Sequence, residues 1–68
     1  MRNNLKVERA KLSLTQAELA ERAKVSRQTI NAIELGKYVP STLLALRLSA
    51  IFQRSVNELF ELEEGDWG

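Results

Sequence analysis

The stretch from Thr15 to Gly36 constrains this chain more than any other. Thr15 and Glu18 form a T-x-x-E capping box, in which each side chain satisfies a free backbone N–H beside the other. Leu19, Ala20 and Ala23 follow at helical spacing on one face. Ala23, Lys24 and Val25 read as a turn, and Ser26 is a good N-cap for a second helix whose apolar face is Ile30 and Ile33. Gly36 stands where a helix closes on a left-handed residue. The pattern predicts helices over residues 16 to about 22 and 27 to about 35. Helices this short, joined this tightly, cannot lie antiparallel, so they must cross steeply.

Arg27, Gln28 and Asn31 project away from Ile30 and Ile33. Arg pairs bidentately with guanine, and Gln or Asn with adenine, in the major groove of DNA. The same residues also suit an ordinary solvated helix face, so the wider pattern has to decide. Gln16-Ala17-Glu18-Leu19-Ala20, Val25-Ser26-Arg27-Gln28-Thr29-Ile30, Ile33-Glu34 and Gly36-Lys37 together resemble the phage-repressor-like (Cro/CI, Xre) helix-turn-helix family. The wider chain, from Asn3-Asn4-Leu5-Lys6 through Tyr38, Pro40 and Ser41, is similar to short regulators of the cytolysin-repressor type.

That resemblance implies an all-α, compact five-helix lambda-repressor-like DNA-binding domain. It implies that residues near 1–4 and 60–63 pair as a small antiparallel sheet, although Glu and Asn are poor strand formers. It also implies a homodimeric transcriptional regulator, expected to be a repressor, on an inverted-repeat operator in double-stranded DNA. By position in the family motif, Arg27, Gln28 and Asn31 are the candidates for base readout. Gln16, Ser26, Thr29, Lys37 and Tyr38 are candidates for backbone or mixed DNA contacts, with Thr29 turned partly inward. Ala32 falls where some relatives carry a longer polar reader. Arg9 and Glu34 match the positions of an internal ion pair tying helix one to helix three. The alternative function is a protein-interaction module, of antitoxin or coactivator type, on the same fold.

The 68 residues make a single helix-turn-helix domain, with its core at 15–36 and an acidic tail at about 61–68. A chain this small buries only about 60% of its unfolded surface, so the core is marginal. Without cysteine or histidine it has no disulfide, no thiolate or imidazole ligand and no imidazole acid–base group. Without a Gly-rich phosphate loop either, the chain is not expected to be an enzyme or to hold a metal, a cofactor or a small-molecule ligand. A second subunit is then the remaining common support, and Phe52, Val56, Leu59 and Leu62 are the candidate dimer contacts, although some of them must fill the core of the single subunit. No apolar run approaches the roughly 18 residues of a membrane span, and no signal-peptide pattern opens the chain, so the expected compartment is the cytoplasm.

The net charge of +1 conceals a division along the chain. All ten Lys and Arg lie in residues 1–54 against four Glu, leaving that part at +6. Residues 55–68 hold five acids and no base. A basic body is the electrostatic footprint that phosphates require, and the acidic tail should lie away from DNA.

The remaining elements follow from local signals. Residues 5–11 read as helix one, with Leu5, Arg9 and Leu12 on one face, Val7 partly exposed and Glu8 reaching solvent. Leu14 is placed to staple against Leu19. Pro40 disfavours a helical Val39, and Ser41 caps a fourth helix over 42 to about 52. Leu44, Leu48 and Ile51 make one stripe on it and Leu43 and Leu46 a second, the pattern of a helix buried nearly all round. Ser55 and Glu58 repeat the capping box and open a short fifth helix over 56 to about 60. Trp67 reads as part of a frayed tail, with cover of the dimer contact as the alternative.

Overall fold

Serine and threonine start four of the five helices in the computed structural model, which describes residues 1–68. Thr15, Ser26, Ser41 and Ser55 are extended, and each side chain accepts the N–H of the residue three places on. Each such cap is worth about 1 kcal/mol. The elements in order are β1 (Arg2–Asn3), α1 (Leu5–Lys11), α2 (Gln16–Ala23), α3 (Arg27–Glu34), α4 (Thr42–Phe52), α5 (Val56–Leu59) and β2 (Phe60–Glu61), then a 3₁₀ turn at Glu64–Trp67. β1 and β2 pair antiparallel, Arg2 opposite Glu61 and Asn3 opposite Phe60. The five helices and the pairing of the chain ends are those that the sequence resemblance implies.

The helix ends follow a rule of their own. Ser13, Lys24, Gly36 and Gln53 have positive φ of 55°, 60°, 75° and 54°. After each, the next N–H reaches back to a carbonyl five residues earlier. Leu14 bonds Arg9, Val25 bonds Ala20, Lys37 bonds Ala32 and Arg54 bonds Ser49, at 2.9–3.2 Å. This closure satisfies carbonyls that the helix leaves free and turns the chain sharply. α2 therefore runs through Ala23, and the turn proper is Lys24–Val25 rather than starting at Ala23. α5 stops at Leu59 because Phe60 is drawn into the strand pair.

The core gathers one face from every helix. Leu5, Leu19, Ile30, Ile33, Leu48 and Leu59 are fully buried, with Ala20, Ala23, Leu44, Phe52 and Phe60 around them. α2 packs on both α3 and α4, and α4 on α5. Leu14 and Leu19, the expected staple pair, are both buried. No helix is long and apolar enough to cross a membrane.

Five expectations need correction. Leu12 lies at the end of α1, where the chain turns away, and it is exposed. Glu8 is covered, because Lys11 and Arg54 both close on its carboxylate, at 3.0 and 3.4 Å. Phe52 and Leu59, candidates for dimer contact, fill the core instead. α4 is not buried all round. It turns Leu44, Leu48 and Phe52 inward, while Leu43 and Leu46 stay 60% and 57% exposed, since five short helices supply no further layer to cover them. The tail folds into a 3₁₀ turn rather than a loose end, with the Met1 ammonium 2.8 Å from Glu63 and 3.0 Å from Asp66, while Trp67 stays exposed.

Two leucines on α4 therefore have opposite consequences. Leu48→Ala should cost about 2–5 kcal/mol, as a core truncation does. That is most of the stability of a chain this small, about 3–5 kcal/mol. Urea unfolding followed by circular dichroism should find it largely unfolded at 25 °C, and Leu46→Ala within about 1 kcal/mol of the parent.

Candidate nucleic-acid interface

α3 presents its polar side on the outside of the domain because Ile30 and Ile33 anchor the other side. Arg27, Gln28 and Asn31 are all exposed, and their i, i+1, i+4 spacing places them together on one face of the helix. Arg27 has no carboxylate partner. Ser26 and Thr29 are less free than these three. The Ser26 hydroxyl accepts the Thr29 N–H at 3.1 Å, and the two hydroxyls share a hydrogen bond at 3.0 Å. Lys37 and Tyr38 lie exposed just beyond the closing residue of α3.

The helix is fixed from behind. Arg9 on α1 donates from Nε to Glu34 Oε2 at 2.9 Å and from Nη2 to Glu34 Oε1 at 3.1 Å. Its third nitrogen donates to the Leu14 carbonyl at 2.9 Å, so one guanidinium ties α1, the loop before α2 and the end of α3. The Glu34 side chain is only 6% exposed and that of Arg9 16%. Burial opposes ionisation of Glu34, but hydrogen bonds from Arg9 and Gln16 outweigh it and hold the carboxyl below its ordinary range. Asn3 adds a second fastening, donating from Nδ2 to the Ile33 carbonyl at 2.8 Å.

Gln16 occupies an unexpected place. Its Nε2 donates to Glu34 Oε1 and to Asn31 Oδ1, both at 3.1 Å. The amide thus joins the ion pair to a residue on the exposed face of α3. Sequence reading reached neither this link nor the Asn3 anchor. Two amides fifteen residues apart leave no periodic signal, and Asn3 looks like any polar residue ahead of a helix. Of the dimer candidates, Val56 lines an open apolar hollow with Met1, Pro40, Ala45 and Phe60, and Leu62 is exposed. Val39, Leu43 and Leu46 are exposed, and Val39 and Leu46 line that hollow.

The chain is similar to known proteins over nearly its whole length. The sequence model of the helix-turn-helix family matches residues 5–59. The chain is 45% identical over 64 residues to the uncharacterised HTH-type transcriptional regulator YgzD of Bacillus subtilis, covering 94% of this chain and 97% of that one. It is 46% identical over 66 residues to the uncharacterised HTH-type transcriptional regulator MJ0272 of Methanocaldococcus jannaschii, covering 97% and 100%. A third such regulator, from Archaeoglobus fulgidus, is 39% identical over 69 residues, covering 100% and 99%.

The Arg9–Glu34 pair has a pH signature. A carboxyl held below its unfolded value of about 4.3 adds stability that is complete above that value and disappears as pH falls through the folded one. Glu34→Gln should leave Arg9 without a counter-charge and cost about 2 kcal/mol at pH 7, less than a fully buried pair because both partners keep some solvent. Below about pH 4.3 the deficit should shrink, because the Glu34 carboxyl of the unfolded parent takes up a proton while the folded one stays ionised, and it should vanish as pH falls through the lower folded value. Urea titrations of parent and variant from pH 7 to pH 3 measure this convergence.

Proposed function

The chain belongs to the helix-turn-helix family of transcriptional regulators, and on that premise we propose that it acts as a homodimeric repressor on an inverted-repeat operator in double-stranded DNA. The observation that carries the reading is α3 itself. Its exposed face groups Arg27, Gln28 and Asn31, and its opposite face is locked by the core and by the Arg9–Glu34 pair. Placed in the major groove, that face offers a guanidinium and two carboxamides to base edges. Lys37 and Tyr38, just past the helix, would hold phosphates and set the register. The chain then works as a single DNA-binding domain over residues 1–68, of the cytolysin-repressor type, in the cytoplasm.

The dimer face we propose differs from one composed of Phe52, Val56, Leu59 and Leu62. It is the outer side of α4 with the loop before it, where Val39, Leu43 and Leu46 are 64%, 60% and 57% exposed beside the hollow that Val56 lines. Contiguous exposed apolar surface of this kind marks an interaction site. A second copy related by a two-fold axis would cover it and bring two α3 helices about 34 Å apart, one turn of DNA.

The two parts of the proposal are tested separately. Gln28→Ala should lose about 1–3 kcal/mol on the preferred site, the worth of a bidentate base contact, and much less on random duplex. Lys37→Ala should weaken both nearly equally and reduce the salt slope by about one unit. Equal losses on both duplexes for Gln28→Ala would move that residue from base readout to the backbone. For assembly, Leu46→Glu should sediment as a monomer at tens of micromolar, with the helical spectrum of the parent. A parent that is itself monomeric there would rule out the dimer.

A further inference from the structure

We infer that Gln16 is a positioning residue, which turns Asn31 into a hydrogen-bond donor toward the base it faces. This deepens the DNA-reading role proposed above and rests on it. The argument starts from Glu34, whose carboxylate can only accept. The Gln16 amide must therefore turn its nitrogen toward Glu34 Oε1, 3.1 Å away. The same nitrogen lies 3.1 Å from Asn31 Oδ1, so the second Nε2 hydrogen is donated there. A carboxamide nitrogen has two hydrogens, and both are now engaged. Asn31 must present its oxygen inward to Gln16, and this leaves its Nδ2 hydrogens free on the exposed face.

Carboxamide orientation is usually free to adapt, because either end can meet a polar partner. Here it is set by charge, through a relay from Arg9 to Glu34 to Gln16 to Asn31. The outward group is a donor, and it selects an acceptor on the base edge. In the major groove guanine offers N7 and O6, adenine N7 and thymine O4, whereas cytosine offers only its N4 amino donor. At the base facing Asn31 the protein should thus discriminate against cytosine. The relay also leaves Gln16 no Nε2 hydrogen for a phosphate, so its part in DNA binding runs through Asn31.

Binding to the selected operator, with all four bases substituted in turn at each position, tests the assignment. Asn31→Ala should erase the preference at one position per half-site. Gln16→Met, which keeps length and removes both donations, should weaken the preference at that same position roughly tenfold, within the usual effect of one mismatched pair. The double variant should behave as Asn31→Ala alone. Cytosine as the preferred base there, or an equal loss on all sequences for Gln16→Met, would overturn the assignment. The free protein gives an independent reading. By side-chain amide NMR, the Gln16 Nε2 protons should exchange with water more slowly than those of Asn31 and of the exposed Gln53 and Asn57. Exchange of Gln16 as fast as Gln53 would overturn the relay whatever DNA does. A parent that prefers no sequence, yet shows slow Gln16 exchange, would overturn the donor assignment and the DNA reading it rests on while leaving the relay in place.

Discussion

The bidentate contact between Arg9 and Glu34 is the constraint on which the rest of the arrangement depends. α1 and α3 lie far apart in sequence, and the pair joins them directly. A charged pair this poorly solvated is a costly connector, since both ions give up water. What it gives in return is direction. A guanidinium fork meets a carboxylate in one plane, and its remaining nitrogen finds the Leu14 carbonyl. An apolar pair at the same place would pack as well but would tolerate rotation. In the role proposed for α3, whose outer face would meet fixed base edges, rotation is the error that matters.

The starts of the helices were far more legible than their ends. Thr15, Ser26, Ser41 and Ser55 each announce a helix, because a short side-chain oxygen three residues ahead of a free N–H is a local arrangement that sequence displays directly. The ends use left-handed residues, and only Gly36 among them is a glycine. Ser13, Lys24 and Gln53 take the same conformation at a cost of roughly 1–2 kcal/mol each. They do so because the turn they make lets the next helix bury its face. That reason lies in tertiary packing and leaves no mark on the residue itself. The same distinction explains α4. Its apolar content was readable, but which stripe turns inward depends on how many layers exist to cover it, and a chain of this length supplies too few.

The candidate site divides in a similar way. The exposed trio Arg27, Gln28 and Asn31 follows from helical spacing once Ile30 and Ile33 are assigned inward. The Arg9–Glu34 pair followed from resemblance, not from periodicity. The coupling of Gln16 to Asn31 followed from neither. Hydrogen bonds between side chains on different helices depend on the crossing of those helices to within a fraction of an ångström, and sequence patterns carry no such resolution.

Charge gives the last step. Six of the nine acids are held in ion pairs, on Met1, Arg2, Arg9, Lys11 and Arg54, so most of the tail's negative charge is spent on its own fold. Six cations, Lys6, Arg22, Lys24, Arg27, Lys37 and Arg47, keep no such partner. The helix starts are unequal as well. α2 and α5 carry a glutamate in the first turn, in a capping box that offsets the positive end of the helix. α3 has no acid in its first turn, and its first residue is Arg27. A phosphate approaching α2 or α5 meets a carboxylate, whereas one approaching α3 meets an uncompensated dipole and a free guanidinium. Of these three helix starts, only that of α3 is electrostatically suited to receive a phosphate, and it is the one that carries the exposed carboxamides.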